Sequence, residues 1–125
     1  MTRQHSPGFL KLVEDAKSRV RQFTIDEFLT RLQAGERYVV LDVREDSEWV
    51  NGHLPGAHHM GRGILERDIE NAIPEKNSSI VLYSSGGLRS TLAADNLQRM
   101  GYRNVVTLEG GWHSWTARGL PTART

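Results

Sequence analysis

The chain contains no cysteine among its 125 residues. Disulfide bonds and thiolate chemistry are therefore excluded for the chain as written. An excess of charge of one sign is also missing, because 16 lysines and arginines face 15 aspartates and glutamates, a net charge of +1. This balance argues against a nucleic acid or an anionic membrane as a partner attracted by bulk charge.

Long hydrophobic runs are absent as well, since no apolar stretch approaches the roughly 18 residues that a membrane-spanning helix needs. The N-terminal segment MTRQHSPGFLKLVEDAK lacks the apolar region and the small-residue cleavage site of a secretory signal. We therefore expect a cytoplasmic protein. The length fits one domain, and 38% hydrophobic with 25% charged residues is typical of globular proteins.

What is present is an alternation of short buried strands and helices. Continuous apolar runs, typical of strands covered on both faces, occupy residues 38–43, 80–83 and 104–108, with a shorter strand at 57–60. Helical spacing, and a capping box formed by Thr24 and Glu27, predict helices over residues 24–35, 47–51, 62–73, 88–100 and 110–119. The pattern predicts an α/β fold with a central, mainly parallel sheet and helices on both faces.

One further amphipathic helix is predicted ahead of this pattern, over residues 9–20, where apolar residues recur along one face. We therefore divide the chain into a helical extension, residues 1–20, and a main domain, residues 21–125.

The loop that follows the strand at residues 80–83 is the first place to look for chemistry, because ligands of parallel sheets bind beyond the carboxyl ends of strands. Gly86 and Gly87 allow the backbone to curl so that successive N–H groups point at one spot. The helix that starts directly afterwards adds N–H donors and a partial positive charge, and Arg89 adds a full one. These features predict a small anion cradle with Ser84 on its rim.

Two motifs carry a resemblance to a known family. The segment IVLYSSGGLRSTLAADNLQRMGYRNVVTLEGGWHSWTARGLP resembles the active-site half of the rhodanese-like sulfurtransferase domain, and LDVREDSEWVNGHLPGA resembles its other hallmark. The resemblance covers roughly residues 22–121. It implies a catalytic cysteine at the position of Ser84, which takes a sulfane sulfur from a donor such as thiosulfate. The resulting persulfide passes the sulfur to cyanide or to a thiol, such as one on a protein acceptor. The resemblance implies no cofactor, and it implies a substrate-binding set of Ser85, Gly86, Gly87, Leu88 and Arg89.

Ser84 departs from the family pattern at the reacting atom. A serine hydroxyl needs an adjacent base for activation, and an oxygen atom forms no persulfide. The resemblance therefore implies the scaffold and an anion pocket, but no sulfurtransferase turnover by the chain as written. Two origins fit this serine: a deliberate Cys-to-Ser exchange, or a natural non-catalytic relative that keeps the cradle for binding or regulation.

Other chemistries fit the loop less well. Cysteine-based phosphatases and arsenate reductases place an arginine six residues after the nucleophile, whereas Arg89 follows Ser84 by five. A hydrolase elbow needs a glycine two residues before its serine, but Leu82 stands there for Ser84 and Tyr83 for Ser85. No Lys-Ser/Thr pair follows the glycines as in a phosphate-binding loop.

The remaining polar and aromatic candidates favour structural roles. We expect Asp42, Arg44 and Glu48 to form a partly buried ion-pair network rather than to supply a general base. No metal site is predicted, because the spacing of His53, His58 and His59 does not suit a set of metal ligands. Trp112 and Trp115 are predicted to anchor the core rather than to stack on nucleic-acid bases.

Overall fold

The computed structural model describes residues 5–124, which form a five-stranded sheet in the order β1-β5-β4-β2-β3. The strands are β1 (Arg21–Phe23), β2 (Val39–Asp42), β3 (His58–His59), β4 (Ser79–Tyr83) and β5 (Asn104–Leu108). Every neighbouring pair runs parallel. The predicted α/β class with a parallel sheet is confirmed, and β4 lies at the centre.

Helices cover both faces of the sheet, as predicted. They are α1 (Pro7–Lys17), α2 (Ile25–Gln33), α3 (Asp46–Trp49), α4 (Arg62–Ala72), α5 (Leu88–Arg99) and α6 (Gly111–Ala117). Successive β4 side chains point to opposite faces, as the pleat of a strand requires. Ile80 and Leu82 join a core with α4 and α5 residues, whereas Val81 and Tyr83 join a core with α2 and α6 residues.

Strand β1 was not predicted from the sequence. Its three residues, Arg21, Gln22 and Phe23, show neither an apolar run nor a clear alternation. The strand forms because it pairs with β5 at the edge of the sheet, where Phe23 lies opposite Leu108. Pairing with a distant segment therefore overrides a weak local preference.

The predicted N-terminal helix is present as α1, which begins and ends slightly earlier than the sequence indicated. It packs on α5, and its buried residues are Val13 and Ala16. Just beyond α1, Arg19 donates two hydrogen bonds to the carboxylate of Asp95 on α5, at 3.0 and 2.8 Å. The helix is thus attached to the main sheet domain through α5.

The outermost ends of the two predicted units, residues 1–4 and 125, lie outside the described residues, and the division itself stays a prediction. Along residues 5–124, none of the helices combines the length and the apolar character needed to cross a membrane.

Candidate active site

Ser84 is the first residue after the central strand β4, and it is 1% exposed. Its Oγ accepts a 3.1 Å hydrogen bond from the backbone N–H of Ser90, in the first turn of α5. It also lies 3.4 Å from the hydroxyl of Ser90, which contacts the buried hydroxyl of Thr107 on β5. The side chain at position 84 is therefore held at a helix N-terminus, where N–H groups and the helix dipole favour negative charge.

The carbonyl groups of the loop are held by the last helix of the domain. The N–H groups of Trp112 and His113, in the first turn of α6, donate 2.9 Å hydrogen bonds to the carbonyls of Ser84 and Ser85. The approach is close, because a Cβ atom added to Gly111 would lie 2.1 Å from the Ser84 carbonyl oxygen. The contact was not predicted from the sequence, although the glycine pair before Trp112 is its sequence signal.

The two loop glycines have different roles, although the sequence suggested a shared one. Gly87 has a φ of +93°, the left-handed conformation that suits glycine, and its carbonyl accepts hydrogen bonds from Thr91. Gly86 is exposed, has no positive φ, and has open space around an added Cβ atom. The turn of the loop therefore depends on Gly87.

Arg89 is paired with a carboxylate that the sequence analysis placed elsewhere. Its guanidinium donates to both oxygens of Glu48, at 2.9 and 3.1 Å, and to the Ser85 hydroxyl at 2.8 Å. The Ser85 hydroxyl in turn donates to Glu48 at 2.6 Å. The expectation that Glu48 belongs to a network with Asp42 and Arg44 is thus wrong, because α3 carries its side chain to the loop.

Glu48, Arg89 and Ser85 form a closed triangle of hydrogen bonds, in which the two charged groups shift each other's pKa. The hydrogen bonds from Arg89, helped by that from the Ser85 hydroxyl, lower the pKa of Glu48 to about 2 against an opposing effect of partial burial. The same contact raises the pKa of Arg89. Glu48 is therefore a stable anion and a very weak base at neutral pH.

Asp42 and Arg44 form a buried ion pair, as predicted. The Arg44 side chain donates to both Asp42 oxygens, and its Nη2 also donates to the carbonyl of Gly52 at 2.6 Å. The Tyr83 hydroxyl completes the set with a 2.6 Å hydrogen bond to Asp42, and burial raises the pKa of Tyr83. The Arg44 guanidinium lies 4.6 Å from the Trp112 ring, so this network supports the helix that holds the loop.

The histidines have surroundings that suit packing. The rings of His53 and His59 stack on the Trp49 indole, with centroid distances of 3.6 and 4.9 Å, and His58 is exposed. In the part of the chain that the structure describes, no group of three or more potential ligands is placed to hold a metal ion. Trp115 is buried in the core, as expected.

Comparison with known proteins places this loop in a family. The model of the rhodanese-like domain matches residues 24–118, which include β2 to β5 and the loop after β4. The chain belongs to the rhodanese-like domain family. The match begins just after β1, so α1 and β1 lie before it.

Individual members of the rhodanese-like family show what the chain is similar to. A relative from Bacillus subtilis (strain 168), "Putative sulfur carrier protein YrkF", is 27% identical over 101 residues, 81% of this chain and 54% of its own length. The chain spans 54%, 24% and 53% of the lengths of the first three curated relatives.

Two solved structures resemble nearly the whole rhodanese-like chain. One, from Rhodopseudomonas palustris CGA009, is described as a "Possible Tyrosine Phosphatase" and has 30% identity with a TM-score of 0.85, over 98% of this chain and 99% of that one. The other is the polysulfide-sulfur transferase homodimer of Wolinella succinogenes, with 25% identity and a TM-score of 0.76, over 94% and 88% of the two chains. A sulfur carrier is therefore found among the relatives, and a sulfur transferase among the structural neighbours.

Proposed function

We propose that the chain is a rhodanese-type sulfurtransferase scaffold whose loop, residues 84–89, binds small sulfur-containing anions. The observation that carries the proposal is the placement of the Ser84 Oγ at the N-terminus of α5, where it accepts the Ser90 N–H. Small anions are stabilised at such a position by unpaired N–H groups and by the helix dipole. Family membership supports sulfane sulfur as the group that is transferred.

With serine at position 84, we propose that the chain does not complete sulfur transfer. The Glu48 carboxylate accepts a hydrogen bond from Ser85 in the loop and has a pKa of about 2, so it is a poor base for activating a hydroxyl. A natural non-catalytic role in binding or regulation is the alternative. The cytoplasmic location and the identities of donor and acceptor stay predictions.

A cysteine at position 84 would allow sulfur transfer through a persulfide. Its thiolate attacks the outer sulfur of thiosulfate, a new S–S bond forms as the original one breaks, and sulfite leaves with the electron pair. Cyanide then attacks the outer sulfur of the persulfide, thiocyanate leaves, and the thiolate is regenerated. The Ser90 N–H and the α5 dipole stabilise the thiolate at both stages.

The test is thiosulfate:cyanide sulfurtransferase activity of Ser84→Cys beside the parent chain. Ser85→Cys is the matched control, because it places a thiol one residue away, at a side chain held by Glu48 and Arg89. Activity in Ser84→Cys alone supports the proposal. Inactivity of all three folded proteins contradicts it and favours the non-catalytic module, whereas hydrolysis of an aryl phosphate by Ser84→Cys favours a phosphatase.

A further inference from the structure

Arg89, the side chain expected to attract an anion, is already bound to a carboxylate of the same chain. We propose that Glu48 determines the ligand specificity of the loop, as an internal ligand of Arg89 and Ser85. In this role it disfavours dianions relative to monoanionic or neutral sulfur groups. The inference rests on the proposed anion-binding role of residues 84–89.

The contact between Glu48 and Arg89 has the geometry of a bound ligand rather than of a chance surface contact. Both guanidinium Nη atoms of Arg89 face the two Glu48 oxygens, which is the paired arrangement in which arginine binds carboxylates and other oxyanions. The Ser85 hydroxyl donates to the same carboxylate. The backbone N–H of Glu45, the residue before α3, donates to Glu48 at 3.0 Å, so the carboxylate is also held in place by its own segment of the chain.

Charge then decides which ligands are favoured. Glu48 and Arg89 cancel each other's charge, and their side chains are 32% and 31% exposed, so solvent screens the pair only in part. A dianion that approaches Arg89 must displace Glu48 or bind beside its negative charge. The repulsion scales with ligand charge, so a monoanion experiences about half of it and a neutral thiol none.

Protonation does not release this internal ligand under ordinary conditions. The pKa of Glu48 is about 2, far below neutral pH, so the carboxylate stays charged. A competing ligand, or a substitution at position 48, is therefore needed to free the Arg89 guanidinium.

Calorimetry with thiosulfate and thiocyanate at constant ionic strength tests the inference on the parent chain and on Glu48→Gln. Loss of the carboxylate frees a charged donor, so we expect roughly tenfold tighter thiosulfate binding and a smaller gain for thiocyanate. The gain must disappear in the Glu48→Gln/Arg89→Ala double variant. Asp46→Asn is the control, because it removes a negative charge from the same helix at a side chain that is 98% exposed.

The outcomes separate the two proposals. Equal thiosulfate affinity of the parent chain and Glu48→Gln overturns the role of Glu48 and leaves the proposed function standing. Absence of binding by both overturns the two together. A gain of the same size in Asp46→Asn also overturns the inference, because it shows a general charge effect. If Glu48→Gln does not fold, Glu48→Asp replaces it: its shorter side chain loses the paired contact, and an affinity equal to that of the parent contradicts the inference.

Discussion

The backbone N–H of Trp112 donates a 2.9 Å hydrogen bond to the carbonyl of Ser84. This bond joins Ser84, the position we propose for the nucleophile, to α6, a helix from the far end of the domain. The side chain of Ser84 is held by α5 and its carbonyl by α6, so two helix N-termini fix the same residue. Substitutions at the start of α6 should therefore alter the loop although they change none of its residues.

Gly111→Ala should distort the loop and destabilise the domain. The added Cβ atom would lie 2.1 Å from the Ser84 carbonyl oxygen, at a φ of +49° that alanine rarely adopts. We expect a loss of several kcal/mol, about 1–2 from the left-handed backbone and more from the clash, together with loss of thiosulfate binding. Urea unfolding and calorimetry measure the two effects. Gly119→Ala has the same left-handed strain with open space around the Cβ atom, and it should retain full binding.

Arg44→Met should cost about 3–5 kcal/mol of unfolding free energy, because it leaves the fully buried Asp42 carboxylate without its cation. Chemical denaturation of the variant and the parent gives the difference. Arg31→Met is the control, since its ion pair with Glu36 is exposed on both sides and its loss should change stability little. An equally small effect of Arg44→Met would show that the buried pair is not a stabilising feature.

Acid should weaken the attachment of α1 through Asp95. Hydrogen bonds from Arg19 lower the pKa of Asp95 in the folded state, so its stabilising contribution is complete above the ordinary aspartate pKa of about 3.9. The contribution is lost as the pH falls through the lower folded-state pKa. Thermal unfolding between neutral pH and pH 3 should therefore show a shallower pH dependence in Asp95→Asn than in the parent. Asp68→Asn, whose partner Arg67 is 73% exposed, should change the slope less.

A thiol at position 84 should have a pKa below the ordinary cysteine value of about 8.5. The Ser90 N–H and the N-terminus of α5 stabilise a negative charge there. The pH dependence of alkylation by iodoacetamide reports this pKa in Ser84→Cys. In Ser85→Cys, the neighbouring Glu48 and Arg89 have opposite effects, so its midpoint should lie closer to the ordinary value. Midpoints that coincide would argue against the helix N-terminus as the source of the effect.

The sequence was sufficient to predict the strands and helices whose local signals are strong. The apolar runs at β2, β4 and β5 identified the sheet, and the Thr24–Glu27 capping box is present at the start of α2. The position of Ser84 at the carboxyl end of β4 followed from the same pattern. Strand β1 could not be found this way, because its three residues become a strand only by pairing with β5.

The partner of Arg89 could not be read from spacing, since Glu48 lies 41 residues earlier. The sheet topology explains the contact. Helices α3 and α5 each follow one of two neighbouring parallel strands, β2 and β4, so their first turns lie at the same edge of the sheet. The contact of Gly111 with Ser84 is similar, because α6 follows β5 on the other side of β4.

The placement of β1 beside β5 also sets the order in which the domain can be completed during synthesis. Of the five strands described, β1 is made first and pairs with β5, which is made last, so β1 stays without this partner until residue 108 has emerged. The contacts of the loop at Ser84 are completed later still, because the N–H groups that hold its carbonyls belong to Trp112 and His113. Pairings this distant in sequence slow folding, so the loop at Ser84 in a nascent chain stays without its final contacts until almost all of the domain has been made.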